Sequence, residues 1–220
     1  MMITLHHCPQ TRSMRTLWLL YELDVPFELV VHGFDKSLRK PSYLAFSPAG
    51  RVPALEIDGR AMFETGAIAQ YLCETFSPNG LGREPGNPDR ADWLVWMHFA
   101  ETISQHTAAL TQQHVALYDD SMRSPIVMKL EAARVGKCFA AIEAHLAGGT
   151  DYLLPSGFSA ADVGLGQAVY MSRYFHKLTD FPRLRAWYDR IAARDAFVKS
   201  LPASGTELYE HDFYPVWTDG

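Results

Sequence analysis

Two short segments in the first third of the chain carry residue types suited to holding a small peptide. Val52-Pro53 opens the apolar run Ala54-Leu55-Glu56-Ile57, which predicts a strand, and proline is tolerated in a strand mainly at its first residue, at an edge or at a bulge. An X-Pro bond can be cis, and such a sharp turn leaves the backbone N–H and C=O of Val52 free to pair with an extended ligand. We therefore expect a peptide-docking edge at Val52.

The second segment, Glu64-Thr65, supplies complementary charge. Asp58-Gly59 predicts a two-residue hairpin turn, so that Arg60-Ala61-Met62-Phe63 returns antiparallel to the first run and leads into Glu64-Thr65. We expect Thr65 to cap a helix from about Gly66 to Phe76, whose free N–H groups and positive dipole end favour a carboxylate. Glu64 beside it can accept hydrogen bonds from an ammonium group. An α-amino acid head group, with both charges on one carbon, fits this arrangement.

The elements that must position these segments form an α/β unit followed by helices. Ile3 to His7 and Phe27 to Val31 predict parallel strands joined by a helix from about Arg12 to Leu23. Turn-forming residues over 77–88 predict a linker. Apolar residues then recur at helical spacing, which predicts a helical bundle over 89–220, and Ser159-x-x-Asp162 predicts a capping box that serves folding.

Composition excludes several classes of function. A formal net charge of −5 argues against a nucleic-acid partner, and no apolar run is long enough to span a membrane, so a cytoplasmic protein is expected. The three cysteines are too far apart for a CxxC motif or a disulfide framework. His98, His106 and His114 recur every eight residues, about 12 Å apart along a helix, which is too far to share one ion, so no metal is predicted.

In order and spacing these motifs resemble the cytosolic glutathione transferases, over nearly the whole chain. The resemblance implies an α/β thioredoxin-like domain over 1–80 that binds glutathione and an all-α helical bundle domain over 89–220. In that family the residue before a cis-proline pairs with the cysteinyl part of glutathione, and a Glu/Gln-Ser/Thr pair holds the γ-glutamyl end. Val52-Pro53 and Glu64-Thr65 match those positions. Arg51 and Arg39 are candidates for the glycine carboxylate, with solvated surface charge as the alternative.

The resemblance also implies a residue that stabilises the glutathione thiolate, because a free thiol titrates near ~8.5. The matching segment runs from Cys8 to Arg15, at the junction of the first strand and first helix. Counting back from Arg15 and from Pro26-Phe27-Glu28 puts the matching position at Gln10 or Thr11, and Thr11 is the first choice. Ser13 resembles the second hydroxyl of an S-x-S-x-R pattern found in many bacterial members, and Cys8-Pro9 resembles the start of thiol-transferase classes. Helix capping is the alternative for Thr11 and Ser13, and a buried apolar role is the alternative for Cys8.

The expected function is conjugation of the glutathione thiolate to a small electrophilic, apolar substrate, by a homodimer that needs no metal. Two alternatives stay open. One is a glutathione-dependent thiol transferase or disulfide reductase acting through Cys8, and the other is a non-catalytic binding protein of the same fold. The Glu64-Thr65 pair argues against the latter, since a partner-binding module does not need an amino-acid clamp. The aromatic tail residues are expected to pack on the bundle rather than to cover the substrate site: Tyr209, Phe213, Tyr214 and Trp217.

Overall fold

A four-stranded mixed sheet forms the first part of the computed structural model, which describes residues 1–78 and 80–214. Its strands are β1 (Ile3–His7), β2 (Glu28–Val31), β3 (Ala54–Ile57) and β4 (Arg60–Phe63), in the order β2-β1-β3-β4. β1 and β2 are parallel and are joined by α1 (Ser13–Leu23), as predicted. Asp58 and Gly59, at φ 47° and 80°, form the predicted turn between β3 and β4 with the left-handed backbone that a two-residue hairpin requires.

Helices make up the rest of the fold. α2 (Pro41–Leu44) precedes β3, and α3 (Thr65–Phe76) follows β4. The second part contains α4 (Arg90–Thr111), which continues into a π-helical turn at Gln112–Ala116, and then α5 (Pro125–Leu146), α6 (Ala160–Ser172), α7 (Pro182–Ala192) and α8 (Asp195–Ser200). The prediction of an α/β domain followed by a helical domain is confirmed. In the described ranges, no helix combines the length and apolar character needed to cross a membrane.

α1 lies between the sheet and the helical domain, and every residue of Ser13–Leu20 is buried. Trp18 stacks edge-on against Phe197 of α8, with ring centroids 4.8 Å apart. It also lies against Gly166 of α6, where a Cβ would come within 3.1 Å of the Trp18 ring and 2.5 Å of Ile191. Glycine at this crossing lets α1 and α6 approach each other closely, and a larger residue would require Trp18 and Ile191 to shift.

The start of α6 and the described aromatic residues after α8 have the structure that the sequence predicts. Ser159 and Asp162 form a reciprocal capping box, and the buried Asp162 also accepts from the backbone of Leu153 at 3.0 Å and the indole of Trp187 at 2.9 Å. Tyr209 is buried, Phe213 stacks on Phe175, and the Tyr214 hydroxyl donates to the carbonyl of Arg173. The packing predicted for these aromatic residues is therefore confirmed, while Trp217 lies outside the described residues.

Candidate active site

The strand register brings the predicted site segments to one edge of the sheet. His6 of β1 and Phe63 of β4 both pair with Ala54, the first residue of β3. The carboxyl ends of β1 and β4 therefore flank the amino end of β3, and β2, parallel to β1, ends at the same edge. With neighbouring strands about 4.8 Å apart, the loops after β1, β2 and β4 and the loop before β3 surround one small region.

The loop before β3 has the expected form. The Val52–Pro53 bond is cis, Pro53 is buried and Val52 is partly exposed. A hydrogen bond from Tyr43 fixes this segment, because the Tyr43 hydroxyl donates to the carbonyl of Arg51 at 2.7 Å. A fixed backbone with an accessible Val52 is what pairing with an extended peptide requires.

The start of α3 differs in one respect from the prediction. The expectation that Thr65 caps the helix is wrong: α3 begins at Thr65 itself, and Glu64 is the boundary residue, with no side-chain cap bond. A capping residue needs non-helical backbone angles, and here Glu64 has them, at φ 75° and ψ 112°. This is a sparsely populated conformation for a residue with a side chain, and such conformations cluster at functional sites.

Two consequences follow for ligand binding at this corner. The first intrahelical bond runs from the N–H of Ile68 to the carbonyl of Glu64, so the N–H groups of Thr65, Gly66 and Ala67 have no partner within the helix. They face the sheet edge with the positive end of the helix dipole, which favours a carboxylate. The Glu64 side chain is exposed beside them and is available to an ammonium group.

A compact hydroxyl cluster occupies the β1–α1 junction. Thr11 Oγ1 donates to the carbonyl of Cys8 at 2.8 Å and lies 2.9 Å from Ser13 Oγ. Ser13 is fully buried; its Oγ accepts from the Cys8 N–H at 3.0 Å and lies 2.8 Å from His7 Nδ1. Thr11 is only partly buried. Of these two residues, Thr11 is the one with solvent exposure, and its hydroxyl lies against that of the buried Ser13.

His7 joins this cluster, and the sequence did not single it out. Burial lowers the pKa of His7 from 6.5 to about 4, so the imidazole is neutral at physiological pH and carries one N–H. When that proton is on Nδ1, Ser13 Oγ accepts from both His7 and the Cys8 N–H, and its own O–H is left for Thr11 Oγ1 at 2.9 Å or the Cys8 carbonyl at 3.2 Å. The only sequence signal for this role is that His7 ends β1 immediately before the loop.

Cys8 has the surroundings of a structural residue. Its side chain is 2% exposed, and burial raises the pKa of the thiol to about 11, with the charge of Asp35 as a smaller contribution. A nucleophilic cysteine needs an accessible thiolate, which a raised pKa opposes. The surroundings of Cys8 are therefore those of a buried apolar residue and do not favour a nucleophile.

Two arginines tie the start of α1 to α4. Arg12 and the buried Arg15 both bind Glu101 of α4, and Arg15 also donates to Ser104 Oγ at 2.9 Å. Two guanidinium groups share one carboxylate, so the Arg12–Arg15–Glu101 group carries a net positive charge. Arg39 and Arg51 are exposed, and the structure brings both to the same sheet edge on the loops after β2 and before β3.

This architecture, a thioredoxin-like sheet followed by a helical domain, is that of a class of two-domain transferases. Models of the "Glutathione S-transferase, N-terminal domain" and "Glutathione S-transferase, C-terminal domain" match residues 4–80 and 104–190. The chain is 30% identical over 199 residues to glutathione S-transferase F13 of Arabidopsis thaliana, covering 86% of this chain and 89% of the relative. It belongs to the glutathione S-transferase family and is a transferase.

Two further similarities extend over most of the chain. Glutathione S-transferase APIC of Nicotiana tabacum is 30% identical over 215 residues, which cover 91% of this chain and 98% of the relative. The theta class glutathione S-transferase of Xanthomonas axonopodis pv. citri, solved with glutathione bound, superposes with a TM-score of 0.79 at 25% identity, covering 92% of this chain and 98% of that structure.

Proposed function

We propose that this protein binds glutathione at the sheet edge and transfers its thiolate to a small electrophilic, apolar substrate. The observation that carries the proposal is the convergence of three groups at that edge: the accessible backbone of Val52, the open α3 start beside Glu64, and the Thr11 hydroxyl. Together they offer a backbone edge, a site for an α-amino acid head group and a hydroxyl for a thiol, which are the features that a γ-glutamyl peptide with a central cysteine can use.

Each group has one role in the proposed reaction. Val52 pairs with the cysteinyl backbone, Glu64 takes the α-ammonium group, and the N–H groups from Thr65 onward take the γ-glutamyl carboxylate. The Thr11 hydroxyl turns from the Cys8 carbonyl to the thiol sulfur and stabilises its anion, because a charged acceptor is stronger than a neutral carbonyl. The thiolate then attacks an electrophilic carbon, an S–C bond forms, and the leaving group departs with the bonding electron pair.

The electrophile site and the quaternary structure belong to the same proposal. We place the electrophile between Thr11 and α4, where the helical domain closes over the sheet edge. We propose a cytoplasmic homodimer, supported by apolar side chains left exposed on β4, α4 and α5: Phe63 at 44%, Val95 at 59% and Leu130 at 51% exposure. Light scattering of the purified protein tests the dimer directly.

Glutathione binding tests the proposal. The double variant Glu64→Gln/Thr65→Val removes a charge-assisted contact worth about 1.5–3 kcal/mol and a hydroxyl contact, so calorimetry should show glutathione binding weakened at least about tenfold. Conjugation of glutathione to chlorodinitrobenzene should fall with it. Glu74→Gln, an exposed carboxylate near the other end of α3, is the matched control and should bind as the parent does.

Two outcomes would contradict the proposal. One is a folded double variant with unchanged glutathione affinity, which would remove the amino-acid site from α3. The other is a parent protein that binds glutathione but does not lower the pKa of its thiol, which would leave a binding protein without the proposed chemistry.

A further inference from the structure

Gln10 links the β1–α1 loop to the helical domain through every polar atom of its side chain. The amide NH₂ donates to the hydroxyls of Tyr170 and Tyr174 at 3.0 and 3.1 Å, and Oε1 accepts from the backbone N–H of Tyr209 at 2.7 Å. A backbone N–H can only donate, so the Tyr209 contact fixes which end of the amide is oxygen. All three partners lie at least 160 residues away along the chain.

The position of Gln10 makes this contact matter for its neighbour. Gln10 is 1% exposed, directly precedes Thr11, and adopts a left-handed φ of 52°. Residues with side chains hold this conformation only when their surroundings impose it, and here the three hydrogen bonds impose it. Gln167 of α6 adds a second tie by donating to the carbonyl of Thr11 at 3.2 Å.

Tyr209 belongs to the segment that follows α8, residues 201–214, which we call the C-terminal segment. Its ring packs edge-on against Tyr174, with centroids 5.0 Å apart, and its hydroxyl bonds to Thr111 of α4. Phe213 anchors the same segment by donating its N–H to the carbonyl of Tyr174 at 2.6 Å. Gln10 thus connects the loop that carries Thr11 to α6 and to the C-terminal segment at once.

We propose that Gln10 is a positioning residue that sets the Thr11 hydroxyl, so that ionisation of bound glutathione depends on docking of the C-terminal segment. This inference rests on the proposed function and adds that the helical domain controls the ionisation of the thiol at that site. A displacement of about 1 Å at a reacting group can lower the rate by orders of magnitude. The peptide contacts at Val52, Glu64 and Thr65 lie on other loops, so the control acts on the thiol and leaves peptide binding alone.

The test uses Gln10→Met, which keeps the length of the side chain and removes all three hydrogen bonds. The pH profile of kcat/KM and the ultraviolet absorbance of the bound thiolate should both show the thiol pKa raised by about one, with conjugation about tenfold slower at pH 6.5. The deficit should vanish at high pH, where the thiolate forms unaided. Glutathione affinity, measured by calorimetry at a pH where the thiol is neutral in both proteins, should be unchanged.

A second variant separates the hydrogen bonds from the shape of the side chain. Tyr170→Phe/Tyr174→Phe leaves Gln10 in place and removes two of its partners, so the thiol pKa should rise in the same direction. The single variant Tyr174→Phe provides the same test if either of these proteins fails to fold. Thr107→Val is the matched control, because it removes buried hydrogen bonds to Ile103 and Ser172 within the helical domain without touching the loop.

Several results would overturn the inference about Gln10. An unchanged pH profile in Gln10→Met overturns the inference. A rate loss that is equal at all pH values also overturns it, because the loss would then come from packing alone. Thr107→Val shows what such a packing loss looks like. A raised pKa in Gln10→Met but not in the tyrosine variants also overturns it, since shape would then be the cause. If the parent itself fails to lower the thiol pKa, the proposed function is wrong, whatever Gln10 does.

Discussion

Replacing Thr11 with valine tests the central step of the proposed chemistry, because valine has the same shape and lacks the hydroxyl. A hydrogen bond to a charged group contributes about 1.5–3 kcal/mol, which corresponds to a thiol pKa raised by about 1–2. Conjugation should therefore fall about ten- to a hundredfold well below that pKa. The deficit should shrink as the pH rises, because the thiolate then forms without help.

The same substitution also has a cost for folding, which must be separated from the chemistry. Thr11 loses its bonds to the Cys8 carbonyl, at 2.8 Å, and to Ser13 Oγ, at 2.9 Å, which together stabilise the fold by about 1–3 kcal/mol. Thr107 makes the same pair of contacts elsewhere, to the Ile103 carbonyl at 3.0 Å and Ser172 Oγ at 2.6 Å. Thr107→Val should thus lower the melting temperature to a similar extent and leave the pH profile unchanged.

The assay is the rate of conjugation to chlorodinitrobenzene from pH 6 to 9, together with an ultraviolet titration of bound glutathione. Full activity in Thr11→Val near neutral pH would refute the assignment of Thr11 and direct attention to Ser13 or to backbone donors. A loss that is the same across the pH range, with no change in the thiol titration, would show that Thr11 acts through structure alone.

Two further predictions concern His7 and Cys8, which lie beside Thr11. His7 has a pKa of about 4 in the folded protein and 6.5 in the unfolded chain, so the unfolded chain binds more protons between these pH values. The contribution of the neutral His7 to the free energy of unfolding is therefore fully present above pH 6.5. It is lost as the pH falls toward 4, by about 3 kcal/mol. His7→Asn should flatten that slope in denaturant titrations at several pH values, and an unchanged slope would contradict the assignment. Because Cys8 is buried and burial raises its pKa, native protein treated with oxidised glutathione at neutral pH should show no adduct on Cys8 by mass spectrometry. The chain unfolded in denaturant is the control, and a native Cys8 adduct would favour the thiol-transferase alternative.

Local sequence patterns were sufficient to predict the main helices and strands and the cis-proline loop of the candidate site. The apolar run after Pro53, the Asp58-Gly59 turn and the Ser159-x-x-Asp162 box each fix backbone geometry within a few residues, so they could be predicted without knowledge of the fold. Thr65 was misassigned as a cap because two adjacent polar residues can both begin a helix. Backbone angles decide between them, and here they select Glu64.

The contacts of the candidate site that the sequence did not predict join residues that are distant along the chain. Gln10 meets Tyr209 across 199 positions, and Arg15 meets Glu101 across 86. No periodicity encodes such pairs, because they depend on how two domains pack. His7 was missed for another reason: its partner Ser13 is near in sequence, but a histidine at the end of a strand has no distinctive pattern.

The burial of α1 on both sides has a consequence for how the protein is made. On the ribosome the sheet and α1 emerge first, at a rate of about 5–20 residues per second, well before α6 and α8 exist. Until then Trp18 lacks its contacts with Gly166 and Phe197, and until α4 emerges Arg15 lacks its ion pair with Glu101. Domains commonly fold as they are synthesised, but this first domain completes its interior only when the last helices arrive. The nascent chain therefore passes through a long interval in which α1, buried in the finished fold, is covered on one side only, and chaperones have an opportunity to act on it.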